Sequence, residues 1–113
     1  MRSNKSLPPW LTGREGSSRA PFSRISKTLL TDPAFLALTP TAQHVYLCMT
    51  VEAGQYREFT FTKSTADKYG IAHRSLLRAV QDLTAAGFIE TQSGQSVRKP
   101  NNYRFSFAWK EAQ

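Results

Sequence analysis

The chain has 113 residues, of which 40% are hydrophobic, and this size suits one globular domain with a core of its own. Its single cysteine, Cys48, excludes an intrachain disulfide, and no apolar run approaches the ~18 residues that a membrane span needs. These features predict a protein of the reducing cytoplasm. Fifteen Lys and Arg against eight Asp and Glu give a formal net charge of +7, which favours a polyanionic partner.

Much of the positive charge lies near the N-terminus. Residues 1–27 hold six basic residues and one acidic residue, whereas residues 28–113 hold nine basic and seven acidic residues. Residues 1–21 are also rich in Pro, Gly and Ser, so we interpret them as a flexible basic arm. This arm either adds non-specific attraction to phosphates or is a plain extension, and the sequence leaves both interpretations open. We place one domain at residues 22–110 and a short tail at residues 111–113.

The first half of the domain predicts a helix followed by a strand. An apolar lead-in over residues 22–38 is broken at Asp32-Pro33. Thr39-Pro40 predicts a helix start, because threonine caps free N–H groups and proline fits the first helical position. Apolar residues recur there at helical spacing as far as about Glu52, namely Ala42, Val45, Tyr46 and Met49. The alternating segment from Glu58 to Thr62 predicts a short, half-buried strand.

Two helices follow, joined by a tight turn. Thr62 can cap a short helix that stops at Gly70. After Ile71 a longer helix extends to Ala86, and Gly87 is suited to end it in the left-handed conformation. The inward positions of this longer helix follow helical spacing: Leu76, Ala79, Val80 and Leu83.

Two more strands are predicted after these helices. Residues 88–92 form the first, residues 93–101 form a polar loop, and the aromatic alternation from Tyr103 to Trp109 indicates the second. We expect Tyr103 and Trp109 to share the apolar face of that strand, and Cys48 to be a small buried apolar residue. The predicted order is helix, strand, helix, tight turn, helix, strand, loop and strand.

This order and its residues resemble the winged helix-turn-helix family. Residues 66–71 are similar to the family's first helix and turn, residues 75–83 to its recognition helix, and residues 87–89 to the beginning of its wing. Residues 29–38 of the lead-in and residues 100–103 are similar to winged-helix proteins of bacterial plasmids, phages and transposable elements, including replication-initiator N-terminal domains. The resemblance covers about residues 22–110 and implies an α+β fold with a three-helix core and a small antiparallel β-hairpin wing.

The chain departs from the family at Ala72. The turn in such proteins commonly ends in serine or threonine, which caps the recognition helix, and alanine has no capping oxygen. The loss is worth ~1 kcal/mol, and it could move the helix start toward His73 or Ser75.

The resemblance implies that the longer helix lies in the DNA major groove with its N-terminal half toward the base edges. The inward stripe leaves outward-facing positions at His73, Arg74, Ser75, Leu77 and Arg78. Arg74 and Arg78 share one face, and a guanidinium group can make a bidentate contact with guanine. We therefore predict DNA contacts by His73, Arg74, Ser75 and Arg78.

Two other segments carry candidate DNA-binding residues. Thr62, Lys63 and Ser64 begin the short helix, where free N–H groups and hydroxyls favour a phosphate. Arg98 and Lys99 lie in the predicted wing, from which they can reach the minor groove or phosphates. For each of these segments, the alternative is an ordinary solvated surface.

The sequence has no arrangement typical of an enzyme. His44 and His73 lie in different predicted helices, no Cys, His and Asp cluster has metal-ligand spacing, and no glycine-rich phosphate loop is present. We expect neither catalysis nor a cofactor, metal or small-molecule substrate.

The principal hypothesis is sequence-specific binding of double-stranded DNA, as a transcriptional regulator or a replication-initiation factor of a bacterial mobile element. A homodimer is possible, because such regulators often read two half-sites. The alternative is a winged-helix protein–protein interaction module without DNA binding. Arg74, Arg78, Arg98 and Lys99 favour DNA, whereas Leu77 on the outward face leans toward a protein partner. Binding of RNA or single strands would favour solvent-facing aromatic residues, and the aromatic residues here are placed on core faces.

Overall fold

The computed structural model describes residues 25–54, 56–91 and 102–111, with only the backbone of Glu111. The basic arm (residues 1–21), the predicted loop at residues 93–101, and therefore Arg98 and Lys99 lie outside the described residues. The helices are α1 (Lys27–Leu30), α2 (Pro33–Leu36), α3 (Pro40–Ala53), α4 (Lys63–Lys68), α5 (His73–Ala85) and α6 (Ala108–Glu111). The strands are β1 (Glu58–Thr60), β2 (Ile89–Thr91) and β3 (Asn102–Phe105). The described residues thus form an α+β fold with one three-stranded antiparallel sheet.

Polar side chains begin the first three helices. The Ser26 and Asp32 side chains accept hydrogen bonds from the N–H groups of Leu29 and Ala34. Thr39 Oγ1 accepts from the Ala42 N–H at 3.1 Å, with Pro40 in the first helical turn as predicted. The interruption at Asp32-Pro33 is therefore a helix start, and the lead-in contains two short helices that the apolar pattern alone did not indicate.

Helix α3 is the central element of the core. The predicted inward residues Ala42, Val45, Tyr46 and Met49 are all buried. Cys48 is buried too, as predicted, and burial raises the pKa of its thiol. The helix packs against α5 on one side and β1 on the other, and this double contact explains why more than one narrow stripe is buried. It ends at Gly54, whose φ of 60° lies in the left-handed region.

The sheet has the strand order β1-β3-β2, so that β3 lies between the two other strands. Phe59 pairs with Tyr103 across β1 and β3, and Ile89 pairs with Phe105 across β2 and β3. The predicted strands at residues 58–62 and 88–92 correspond to Glu58–Thr60 and Ile89–Thr91, and Gln92 lies outside the described residues.

The prediction of one strand from Tyr103 to Trp109 is wrong beyond Phe105. The Ser106 N–H donates to the Phe88 carbonyl at 2.9 Å, and the Ser106 hydroxyl accepts from the Ala108 N–H at 3.3 Å, so the chain turns into α6. Trp109 is buried as expected, but it lies on α6 rather than on the strand face that holds Tyr103. Phe107 remains 49% exposed.

Aromatic rings connect the helices to the sheet. Phe88 is fully buried and lies between α5 and β2, directly before the first residue of β2. Its ring stacks on Trp109 with 4.8 Å between centroids, and it meets Tyr46 edge-on at 5.2 Å. This cluster ties α3, α5, β2 and α6 together. No helix among the described residues has both the length and the apolar character that crossing a bilayer requires.

We expect Gly87→Ala to destabilise the fold more than Gly54→Ala. Both glycines have positive φ, which costs an L-residue ~1–2 kcal/mol. A Cβ at Gly87 would also lie 3.0 Å from the Ala108 Cβ and 3.0 Å from the Trp109 nitrogen, whereas one at Gly54 would meet nothing within 4 Å. The expected losses of unfolding free energy are ~2–4 kcal/mol for Gly87→Ala and ~1 kcal/mol for Gly54→Ala. Denaturant titration measures both, and equal losses would contradict the proposed close packing of α6.

We expect the folded protein to lose stability at alkaline pH because the Tyr46 phenol is buried. Burial raises the pKa of its phenol from 10.0 to about 12. Because the unfolded chain gives up this proton first, the stabilisation is complete below pH 10 and is lost as the pH rises to about 12. We therefore expect Tyr46→Phe to reduce the fall in unfolding free energy over that interval by ~2 kcal/mol. Tyr56→Phe is the matched control because Tyr56 is 76% exposed, and an unchanged profile for Tyr46→Phe would refute the expectation.

Candidate nucleic-acid interface

Helix α4 begins with an internally bonded cap. The Thr62 hydroxyl accepts from the Thr65 N–H at 3.1 Å and lies 3.0 Å from the Thr65 hydroxyl. Thr62 is therefore the helix cap that its sequence position predicts, and its oxygen is already engaged within the protein. The neighbouring Lys63 and Ser64 are exposed. Of the three predicted phosphate-contact residues, these two have the freer side chains.

The turn from α4 to α5 is held by the core rather than by its own side chains. Gly70 has a φ of 74°, and the Ile71 N–H donates to the Ala66 carbonyl at 2.9 Å. Ala66 and Ile71 are both buried. At the end of α4, the Tyr69 hydroxyl donates to Glu52 Oε1 at 2.8 Å, which ties this end to the last turn of α3. The orientation of α4 relative to α5 is thus anchored at both sides of the turn.

Helix α5 begins at His73 and has no side-chain cap. Ala72 occupies the N-cap position with extended backbone angles and makes no side-chain hydrogen bond, as the sequence predicts. Its carbonyl accepts from the Leu76 N–H at 2.9 Å, so the backbone alone begins the helix.

The two faces of α5 differ sharply. Leu76, Ala79 and Leu83 are buried, and Val80 is partly buried, as predicted. On the other side, His73, Arg74, Leu77 and Arg78 are exposed, whereas Ser75 is half-buried. Neither Arg74 nor Arg78 forms an ion pair or hydrogen bond with any residue that the structure describes. Both guanidinium groups therefore keep their full donor capacity toward an external acceptor.

A groove runs between α5 and the first turn of α3. It has a volume of about 340 Å³ and is lined by Thr39, Thr41, Arg74, Ser75, Arg78 and Asp82. The structure thus brings Arg74, Ser75 and Arg78 together, as predicted, and adds three residues that the sequence did not indicate. The spacing of Arg78 and Asp82 on one helix would have placed Asp82 near this face. No sequence pattern relates Thr39 and Thr41 to α5, because only tertiary packing brings them there.

The charge on the groove is uneven along α5. Arg74 and Arg78 occupy the first two turns, and Asp82 follows one turn later. The positive end of the helix dipole adds to the two arginines at the N-terminal half. That half of α5 is the stronger attractor for phosphates or for acceptor groups on base edges.

The charged groups on the sheet are partly paired with each other. Arg104 Nη2 lies 2.7 Å from Glu90 Oε1, and this hydrogen bond raises the pKa of Arg104. Arg57 donates from Nε to the Phe105 carbonyl and lies over the Phe107 ring at 4.6 Å. These two arginines have protein partners, in contrast to Arg74 and Arg78.

The arrangement provides hydrogen-bond donors and positive charge. Among residues 25–54, 56–91 and 102–111, no three His, Cys, Asp or Glu residues lie together as a metal site would require. In comparisons with protein-family models, with curated proteins and with solved structures, nothing matches the chain.

We expect Ala72→Ser to stabilise the protein by ~1 kcal/mol, because serine would supply the missing N-cap oxygen. The reciprocal variant Thr62→Ala should lose ~1 kcal/mol by removing an existing cap. Denaturant titration of the two variants and the wild type measures both changes in the free energy of unfolding. If Ala72→Ser left the midpoint unchanged while Thr62→Ala lowered it, the start of α5 would not be limited by capping.

Proposed function

We propose that the protein binds double-stranded DNA sequence-specifically as a winged helix-turn-helix. Helices α3, α4 and α5 are its three-helix core, α5 is its recognition helix, and the β2–β3 hairpin is its wing. Support comes from the element order, the short turn between α4 and α5 that the buried Ile71 anchors, and the strand order β1-β3-β2. We further propose a cytoplasmic role as a transcriptional regulator or replication-initiation factor of a bacterial mobile element, on the strength of the sequence resemblance.

The exposed face of α5 is the observation that carries this proposal. The helix has 13 residues and spans about 20 Å, and the B-DNA major groove, ~12 Å wide, admits an α-helix. Arg74 and Arg78 are exposed and without partners in the described part of the chain. The opposite face of α5 is buried, so insertion into a groove needs no rearrangement of the core.

The roles of the individual residues follow from where they lie. Arg74 and Arg78 contact guanine edges or phosphates, and His73 at the beginning of α5 contributes a further polar contact. Ser75 is half-buried in the groove beside Thr39 and Thr41, a place suited to a backbone phosphate rather than to a base. Lys63 and Ser64 add phosphate contacts from the start of α4. For Arg98 and Lys99, which lie outside the described residues, the sequence resemblance alone supports contacts with the minor groove or with phosphates.

The double variant Arg74→Ala/Arg78→Ala tests the proposal. We expect selection from a random duplex library at fixed salt to enrich a motif with the wild type. The double variant should lose at least about tenfold in affinity for that motif, and its selected motif should blur. Its unfolding free energy should be unchanged, because neither side chain has a partner among the described residues.

Lys27→Ala/Lys110→Ala is the matched control, since it removes the same charge from α1 and α6. This control should select the same motif as the wild type. Any loss of affinity should be small, similar for all sequences and accompanied by a slightly weaker salt dependence. Equal losses in both double variants would indicate non-specific attraction. A wild type that enriches no motif would refute sequence-specific recognition and favour the alternative of a protein-interaction module.

A further inference from the structure

We propose that Leu77 recognises a thymine by packing on its C5-methyl group in the major groove. This inference rests on the proposed function, since it assigns base specificity to the same face of α5. The protein would then require a T·A pair beside the base pairs that the arginines contact.

The exposure of Leu77 is the first observation. Leu77 is 49% exposed on a helix whose other large apolar residues, Leu76, Val80 and Leu83, pack in or against the core. Among the described residues of α4 and α5, it is the one large hydrophobic side chain that is exposed. The other exposed large hydrophobic residues lie on other elements: Leu30, Leu36, Val51, Tyr56 and Phe107. Leu77 is therefore an isolated large apolar side chain on the exposed, otherwise polar face of α5.

The neighbours of Leu77 are the second observation. His73 and Arg74 lie one turn before it, and Arg78 is adjacent to it in the chain. The three are exposed, so an apolar side chain is surrounded by groups that favour a polyanion. Thymine alone among the four bases presents a methyl group in the major groove. The major groove therefore offers Leu77 one apolar contact, a thymine methyl, among the hydrogen-bond acceptors and phosphates that suit the neighbouring arginines.

A protein partner fits these features less well. Protein interfaces bury contiguous apolar cores from which charged residues are depleted, with Arg an exception. Leu77 stands alone on its helix pair, so the apolar area that it could contribute to such a core is small.

The position of Leu77 also predicts where the thymine lies. Consecutive residues of an α-helix point about 100° apart, whereas residues three apart are neighbours on its surface. Arg74 and Leu77 are three residues apart, with a rise of about 4.5 Å between them, and base pairs are stacked about 3.4 Å apart. The selected motif should therefore hold a thymine within about two positions of the base that the Arg74→Ala variant ceases to discriminate.

Removal of single methyl groups from the DNA tests the inference without altering the protein. Each thymine of the selected motif is replaced in turn by deoxyuridine, which lacks only the methyl, and wild-type affinity is measured at constant salt. Replacement of one particular thymine should lower affinity about fourfold, which corresponds to the ~0.8 kcal/mol of one buried methyl. The same substitution should leave the affinity of Leu77→Ala unchanged, because the contact is already lost.

Leu36→Ala is the matched control, because Leu36 is 59% exposed and lies on α2, away from the helix pair. This variant should discriminate thymine from deoxyuridine as the wild type does. Far-UV circular dichroism of Leu77→Ala checks that the variant is folded. Leu77→Met, which keeps an apolar side chain, should retain most of the discrimination.

The outcomes separate this inference from the proposed function. A selected motif with no deoxyuridine effect at any position would overturn the role of Leu77 and leave specific DNA binding intact. A deoxyuridine effect that persists in Leu77→Ala would also overturn it, because another residue would contact the methyl. If no motif is selected, both proposals fall together, and the failure lies with the proposed function.

Discussion

The burial of one side of α5 against α3 is the constraint on which the rest of this protein depends. Leu76 and Leu83 are almost completely shielded from solvent, and Ala79 lets the two helices approach closely. Since these residues occupy one stripe, they determine the rotation of α5 about its axis, and the opposite side must face water. The exposure of Arg74 and Arg78 is thus a consequence of core packing, and a large displacement of their backbone would require the buried stripe to leave its site.

The sheet and α6 hold this helix from its C-terminal end. The chain leaves α5 through Gly87 and places Phe88 between Tyr46 and Trp109. The carbonyl of Gly87 also accepts from the Trp109 N–H, and that of Phe88 from the Ser106 N–H. The end of α5, the beginning of β2 and the segment after β3 are therefore one hydrogen-bonded junction, so the paired strands β2 and β3 have a defined attachment to the helix core.

Some charged side chains of the described residues have partners within the protein, whereas others are free to contact an external ligand. Glu90 binds Arg104, Glu52 accepts from Tyr69, and Arg57 interacts with the backbone and the ring of Phe107. These contacts lie at the surface, and each contributes little to stability because solvent screens it. Their effect is to occupy charges elsewhere, while the guanidinium groups on the first two turns of α5 remain without partners in the described part of the chain.

The amino-acid sequence by itself determined the features that depend on near neighbours along the chain. Thr39 and Thr62 begin helices, Gly54 and Gly87 lie where helices end, and the buried stripe of α5 follows helical spacing, because capping and amphipathicity act within a few residues. The helix start at Asp32-Pro33 carried the same kind of local signal, but the dense apolar residues around it obscured that signal.

Only the tertiary structure decided what depends on residues far apart in the chain. The alternation from Tyr103 to Trp109 suits a strand, yet β3 ends at Phe105 because the Ser106 N–H binds Phe88 and the Trp109 ring stacks there. The groove that joins Thr39 and Thr41 to the arginines of α5 likewise exists only because α3 and α5 pack together. Periodicity identifies the face that is buried, whereas packing selects the partner of that face and the residues that meet at its edge.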